Sequence, residues 1–144
     1  EYIEDIDTSL KEIKRISKTN SKFVNVSILW GYFRFYGPEK EINDLIHDAF
    51  RAHCFHQMLP LDLIGKLKKL GYKNISSQNL SYLITNRNNN SPAIFYETML
   101  SKFALSQGVS EDKVDDWRKQ LNESEKVGNF GFTSFPVLTA AYLG

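Results

Sequence analysis

Apolar residues recur at Ile3, Ile6, Leu10, Ile13 and Ile16, a spacing that lays one continuous stripe along the face of a helix. The helix is predicted to run from Asp5 or Asp7, either a good N-cap, to near Lys18, with Lys11, Lys14, Arg15 and Lys18 where the helix dipole favours cations. Such a stripe calls for a sheet beneath it. After the break at Thr19-Asn20-Ser21, Val24, Val26, Ile28 and Trp30 alternate with Asn25, Ser27 and Leu29, which predicts a strand over Phe23 to Trp30. A helix feeding a strand through a short polar turn is half of an alternating α/β architecture, so the sequence reads as a domain entered in the middle.

Gly31 to Pro38 reads as a loop bracketed by glycines, with Pro38 suited to the first turn of a following helix. That helix starts at about Glu39 and carries Ile42, Leu45, Ile46, Ala49 and Phe50. Pro60 starts a further helix, Leu61 to Leu70, which Gly71 ends in the position where a left-handed residue commonly stops a helix. Tyr72 to Thr85 predicts a second strand region, followed by a polar loop from Asn86 to Pro92. Two helices are then predicted, about Pro92 to Gln107 and Ser110 to Glu125; Val114, Trp117 and Leu121 share a face of the second, which assigns Trp117 to a core. Asn129 to Thr133 and Val137 to Leu143 are short apolar stretches with strand character, separated by Ser134-Phe135-Pro136.

With 144 residues, 42% hydrophobic and 24% charged, the chain has room for one soluble globular domain. Its net charge of +1 comes from Lys and Arg scattered along the sequence, which gives no electrostatic reason to expect nucleic acid or an anionic membrane as partner. No apolar run approaches the roughly 20 residues of a membrane helix, and a cytoplasmic location is the default expectation. The single Cys54 makes no intrachain disulfide. Aromatic residues reach 13%, more than a small core needs, and several fall in loops, a first hint of a pocket.

Glu1-Tyr2-Ile3-Glu4-Asp5, then Trp30, Leu59-Pro60, Gly71-Tyr72, Val114, Trp117, Leu121 and Gly128 to Thr133, taken in that order, resemble the C-terminal half of a Rossmann-like S-adenosylmethionine-dependent methyltransferase of the small-molecule (type 11/25-like) subgroup. Glu1-Tyr2-Ile3-Glu4-Asp5 with Leu10, Ile13, Arg15 and Ile16 is similar to the end of that family's fourth strand and the helix after it. Ser17 to Ser21 replaces the family's glycine-rich turn, with Asn20 able to take the left-handed conformation. Trp30 resembles the tryptophan of an Asp-x-Asp-Trp segment, although Ser27 and Ile28 supply no carboxylate. Leu59-Pro60, Leu63, Leu67 and Gly71-Tyr72 look like the helix into the sixth strand. Val114, Trp117 and Leu121, then Gly128 to Thr133, look like the approach to the seventh.

The resemblance covers the whole chain and implies a three-layer α/β/α fold, here a single partial domain with a helical insertion at about 91–127. It implies that the strand from Phe23 is followed in space by the final, antiparallel strand and then by the strand near Ile75 to Ile84. The cofactor's glycine-rich turn belongs to the family's N-terminal half, and no G-x-G-x-x-G occurs here. A missing N-terminal half, or a partner chain completing the sheet, is therefore expected, and the isolated chain is expected to be inactive.

In the family, loops after the fourth and fifth strands lie over the cofactor's reactive end. This implies cofactor contacts at Glu1 and Tyr2, and acceptor-side contacts at Trp30, Tyr32, Phe33, Phe35, Arg34 and, after the sixth strand, Asn86. Aromatic faces stabilise a sulfonium cation by roughly 0.5 to 2 kcal/mol; packing of the same rings against neighbouring helices is the other reading. Arg34 either binds an acceptor carboxylate or phosphate or stacks on a flanking ring. His53 and His56 are candidates for a general base or a polar acceptor contact, with surface or capping roles as the alternative. Together with His47 and Cys54 they also raise a metal reading, but no Cys-x-x-Cys or third strong zinc-type partner is evident. A non-enzymatic module, whose exposed strand edge pairs with another chain, is the competing function.

Overall fold

The structure, a computed structural model, describes residues 1–144 and divides them into two compact units. Unit 1 comprises Glu1–Tyr32, Cys54–Ser81 and Ser134–Gly144; unit 2 comprises Phe33–His53 and Tyr82–Thr133.

In unit 1, helix α1 (Ile6–Ile16) starts where the Asp5 carboxylate accepts the Thr8 N–H at 2.9 Å, as the N-cap reading predicts. Asn20, at φ 64°, turns the chain into strand β1 (Lys22–Ile28), so the left-handed residue that the turn requires is an asparagine. Helix α3 (Leu59–Lys69), with Pro60 in its first turn and Gly71 at φ 85° beyond its end, leads into β3 (Tyr72–Asn79). The last strand, β6 (Pro136–Leu143), lies between β1 and β3 and is antiparallel to both. This is the strand order that the family resemblance implies.

Phe23 of β1, with Ala141 and Leu143 of β6 and Tyr72 of β3, packs against Leu10 of α1 and Leu59, Leu63 and Leu67 of α3. Alternation turns Val24 and Val26 to the opposite face, where they are 54% and 57% exposed. Unit 1 is thus two-layered, and the third layer of the expected α/β/α arrangement is not formed by its own elements. The α1 stripe also departs from expectation. Only Leu10 is buried and Ile6 half-buried, while Ile3, Ile13 and Ile16 stay exposed. At 3.6 residues per turn Ile16 sits about 120° around the helix from Leu10, off the face that meets this core.

Unit 2 holds β2 (Arg34–Tyr36), α2 (Lys40–Phe50), β4 (Tyr82–Ile84), α4 (Pro92–Ser106), α5 (Glu111–Lys126) and β5 (Gly131–Ser134, its last residue counted with unit 1). Its sheet has the order β2-β5-β4. The predicted loop from Gly31 to Pro38 therefore contains a strand, and the predicted strand Tyr72 to Thr85 is two strands belonging to different sheets. Between them Ser81 N–H donates to Asn79 Oδ1 at 2.9 Å, a polar turn that the apolar pattern did not reveal.

A large share of the aromatic residues lies in this unit's core. Phe35 and Phe132 are fully buried with ring centroids 4.5 Å apart, and Trp117 meets Phe35 edge-on at 5.4 Å. Trp117 is a core residue, as its helical spacing predicts.

Candidate functional site

The candidate site of unit 1 is built around the turn Cys54–Gln57, which holds both the first residues and the end of β1. Glu1 O accepts the N–H groups of Phe55 and His56 at 3.1 and 3.3 Å, and Glu1 Oε2 accepts Ile28 N–H at 3.0 Å. Gln57 O accepts Trp30 N–H at 2.9 Å, and the Gln57 amide donates to Cys54 O at 3.4 Å and to Cys54 Sγ at 3.3 Å. Glu1, Tyr2, Trp30 and His56 are thus gathered on one turn.

The His56 ring reaches the Ile3 and Glu4 carbonyls, both at 3.0 Å from Nε2. Carbonyl oxygens only accept, so Nε2 carries hydrogen and Nδ1 is the nitrogen able to take up a proton. Burial, then the charges of Glu1 and Cys54, raise the Tyr2 phenol above its ordinary range; burial, then Glu1, raise the Cys54 thiol likewise. Both groups are therefore neutral at neutral pH. Tyr2 is 59% exposed, and Tyr32, also exposed, leans on Phe135 at 5.6 Å between ring centroids. Trp30 is buried. A Cβ at Gly31 would come within 2.9 Å of Met58 Sδ, so a larger residue there would oblige the Met58 side chain to shift.

The remaining predicted residues belong to unit 2. Phe33 is buried, its ring 4.9 Å from Tyr96 and 5.0 Å from Phe132, which makes it a packing residue. Arg34 neither stacks on a ring nor stands free: its guanidinium pairs with Asp44, which also takes Lys40. Those two cations hold the Asp44 carboxyl down at about 2. His53 stacks on Phe50, centroids 4.0 Å apart and planes within 9°, and its Nδ1–H donates to Phe50 O. Asn86 is exposed; its side-chain oxygen accepts from Asn88 at 2.9 Å, and it lines an open depression with Leu83, Thr85, Asn90 and Pro92. His53 and His56 belong to different units and engage different partners, and no three His, Cys, Asp or Glu side chains are grouped to hold a metal ion. No helix is long and apolar enough to cross a membrane.

Sequence reasoning missed Gln57, Phe55 and Met58, which lie in an aperiodic stretch between two helices; their only signal is adjacency to His56. It also missed the ion pair of Arg87 and Glu97, described below.

No protein-family model matches this sequence, and no curated protein matches it. Among solved structures the chain is similar to a protein of Bacillus halodurans described as a "putative methyltransferase", with a TM-score of 0.46 and 12% identity over 94% of this chain. The chain spans 62% of the length of that protein.

Proposed function

We propose that this chain is the acceptor-side part of an S-adenosylmethionine-dependent methyltransferase acting on a small molecule. The observation that supports it is the sheet of unit 1, in which the final strand enters antiparallel between β1 and β3, with the helices preceding those two strands over one face. In this reading, S-adenosylmethionine supplies an electrophilic methyl group. The chain's own residues position the acceptor and exclude water, since an in-line displacement gains chiefly from orientation. Trp30 and Tyr32 form the acceptor's wall, Tyr2 offers its exposed ring to the cofactor's sulfonium end, and Glu1 keeps one carboxylate oxygen beyond its bond to Ile28. Where the acceptor must lose a proton, His56 Nδ1 takes it while Nε2 stays fixed on two carbonyls.

The cofactor's main binding apparatus is read as lying outside this chain, in an N-terminal half or partner chain that extends the sheet along the open edge of β1. Exposed Ile13 and Ile16 on α1, and Val24 and Val26 on the open face, are apolar surface that such a neighbour would cover. The same surface supports the second reading, a non-enzymatic subunit that stabilises a catalytic partner through that edge.

Titration calorimetry of the 144-residue chain with S-adenosylmethionine tests the placement. No binding tighter than about millimolar is expected, and micromolar affinity would overturn it. A strand and glycine-rich turn encoded upstream of Glu1, with an acidic residue about 20 positions further on, would separate the enzyme from the subunit.

A further inference from the structure

The charges that look scattered in sequence are unevenly shared in space. Unit 1 carries nine Lys and Arg against six Asp and Glu, while unit 2 carries nine against eleven. Within unit 1, Lys11 and Lys14 stand three apart on α1, and Lys66 and Lys69 three apart on α3, so each pair shares a helix face. The two faces meet: Asp7, Lys11, Lys66, Lys69 and Leu70 line one groove. Lys14 Nζ reaches the adjoining Gly71, 4.0 Å from where a Cβ would stand.

Asp7 is the sole carboxylate of that lining, and it pairs with Lys66 at 2.7 Å. Lys11, Lys14 and Lys69 are exposed and make no ion pair. Three ammonium groups without a paired carboxylate, Lys11 acting only at longer range on Asp5, form an anion-attracting surface beside the groove.

We propose that this groove between α1 and α3 binds the phosphate backbone of single-stranded nucleic acid. Repeated negative charge is what a row of separated lysines matches, and ammonium groups contact phosphates as point charges without reading sequence. The groove's only apolar lining residue is the half-buried Leu70, so the surface lacks the protruding apolar side chains that insertion into a lipid interface requires. The absence of aromatic rings from the lining leaves base stacking out and makes the binding sequence-tolerant and weak. The proposal stands on unit 1's surface alone and is independent of the methyl-transfer reading.

Fluorescence anisotropy with a labelled 15-nucleotide oligouridylate tests it on the whole chain. At 25 mM salt a Kd of about 10 to 100 μM is expected, with log K falling against log salt at a slope of about −2, as roughly three phosphate contacts to a single strand require. The triple variant Lys11→Gln/Lys14→Gln/Lys69→Gln should bind at least about fivefold more weakly with an unchanged circular dichroism melt. Binding absent at 100 μM, or undiminished in the triple variant, would overturn the proposal. So would equal affinity for poly-glutamate or for vesicles rich in phosphatidylserine, either of which would assign the groove to an acidic peptide or a lipid surface instead.

Discussion

Trp117 and Asn43 are joined by a buried hydrogen bond: the indole Nε1–H donates to Asn43 Oδ1 at 2.9 Å, 74 residues away in sequence. Asn43 Nδ2 donates in turn to Phe35 O at 2.9 Å, so one amide ties α5 to α2 and β2 inside unit 2. Asn43→Leu strands both the indole N–H and a strand carbonyl in the core. A loss of about 2 to 4 kcal/mol is expected from urea denaturation, because each orphaned buried group costs roughly 1 to 3 kcal/mol. A loss below about 0.5 kcal/mol would show that the bond contributes nothing.

His47 predicts a pH dependence. Its Nε2 accepts Phe35 N–H at 3.2 Å, which requires that nitrogen to be unprotonated, and burial, aided by the Arg34 and Arg51 charges, pushes its pKa down to about 3. The unfolded histidine titrates near 6.5. Stability is therefore complete above pH 6.5 and declines toward pH 3, by at most about 1.4 kcal/mol per pH unit from this group. His47→Gln should remove much of the difference in urea midpoint between pH 7.5 and pH 5. A variant that keeps the wild-type difference would assign the dependence to other groups.

A buried ion pair closes the other side of unit 2. Glu97 is 2% exposed and receives both Arg87 Nε and Nη2 at 2.9 Å, with Arg118 Nε at 3.2 Å. Removing Glu97 leaves the largely buried Arg87 with only the longer ion pair to Glu125, at 3.8 Å, so Glu97→Ala should cost toward the lower end of about 3 to 5 kcal/mol. Arg118→Ala, at a half-exposed cation, should cost under about 1 kcal/mol. The double variant Arg87→Met/Glu97→Leu should lose clearly less than the losses of Arg87→Met and Glu97→Leu added together, and strict additivity would argue that the pair is not coupled.

The exposed apolar surface beside β1 makes a different kind of prediction. Val24→Thr and Val26→Thr, on the open face, should change the stability of the isolated chain by less than about 0.5 kcal/mol, since surface positions rarely matter more. The same pair of substitutions should lower any concentration-dependent association seen by sedimentation velocity. A large stability loss instead would mean that these side chains already contribute to a core.

Much of this was legible beforehand because its causes are local. The N-cap Asp5, Pro60 at the start of α3 and Gly71 at its end act within a few residues, and Trp117 declares its burial through the helical spacing of Val114 and Leu121. The division into two sheets was not legible. Tyr72 to Thr85 carries no strong breaker, and its separation into β3 and β4 rests on one Asn79 turn and on partners distant in sequence. The site residues divide in the same way. Adjacency in sequence joined Glu1 to Tyr2, yet only tertiary structure could show His56 fixed by two carbonyls, Arg34 committed to Asp44 or Phe33 enclosed by other rings.

The position of β6 also bears on how the protein can be made. It is the central strand of unit 1's sheet and yet follows every other element along the chain, so β1 and β3, both complete much earlier, have no partner for their shared side until it emerges. Their pairing closes loops of more than a hundred residues on one flank and some sixty on the other, the kind of distant contact that slows folding. During synthesis on the ribosome, unit 1 must wait through the whole of unit 2 with its inner strand edges open, and deleting Val137–Gly144 would remove nearly all that joins them.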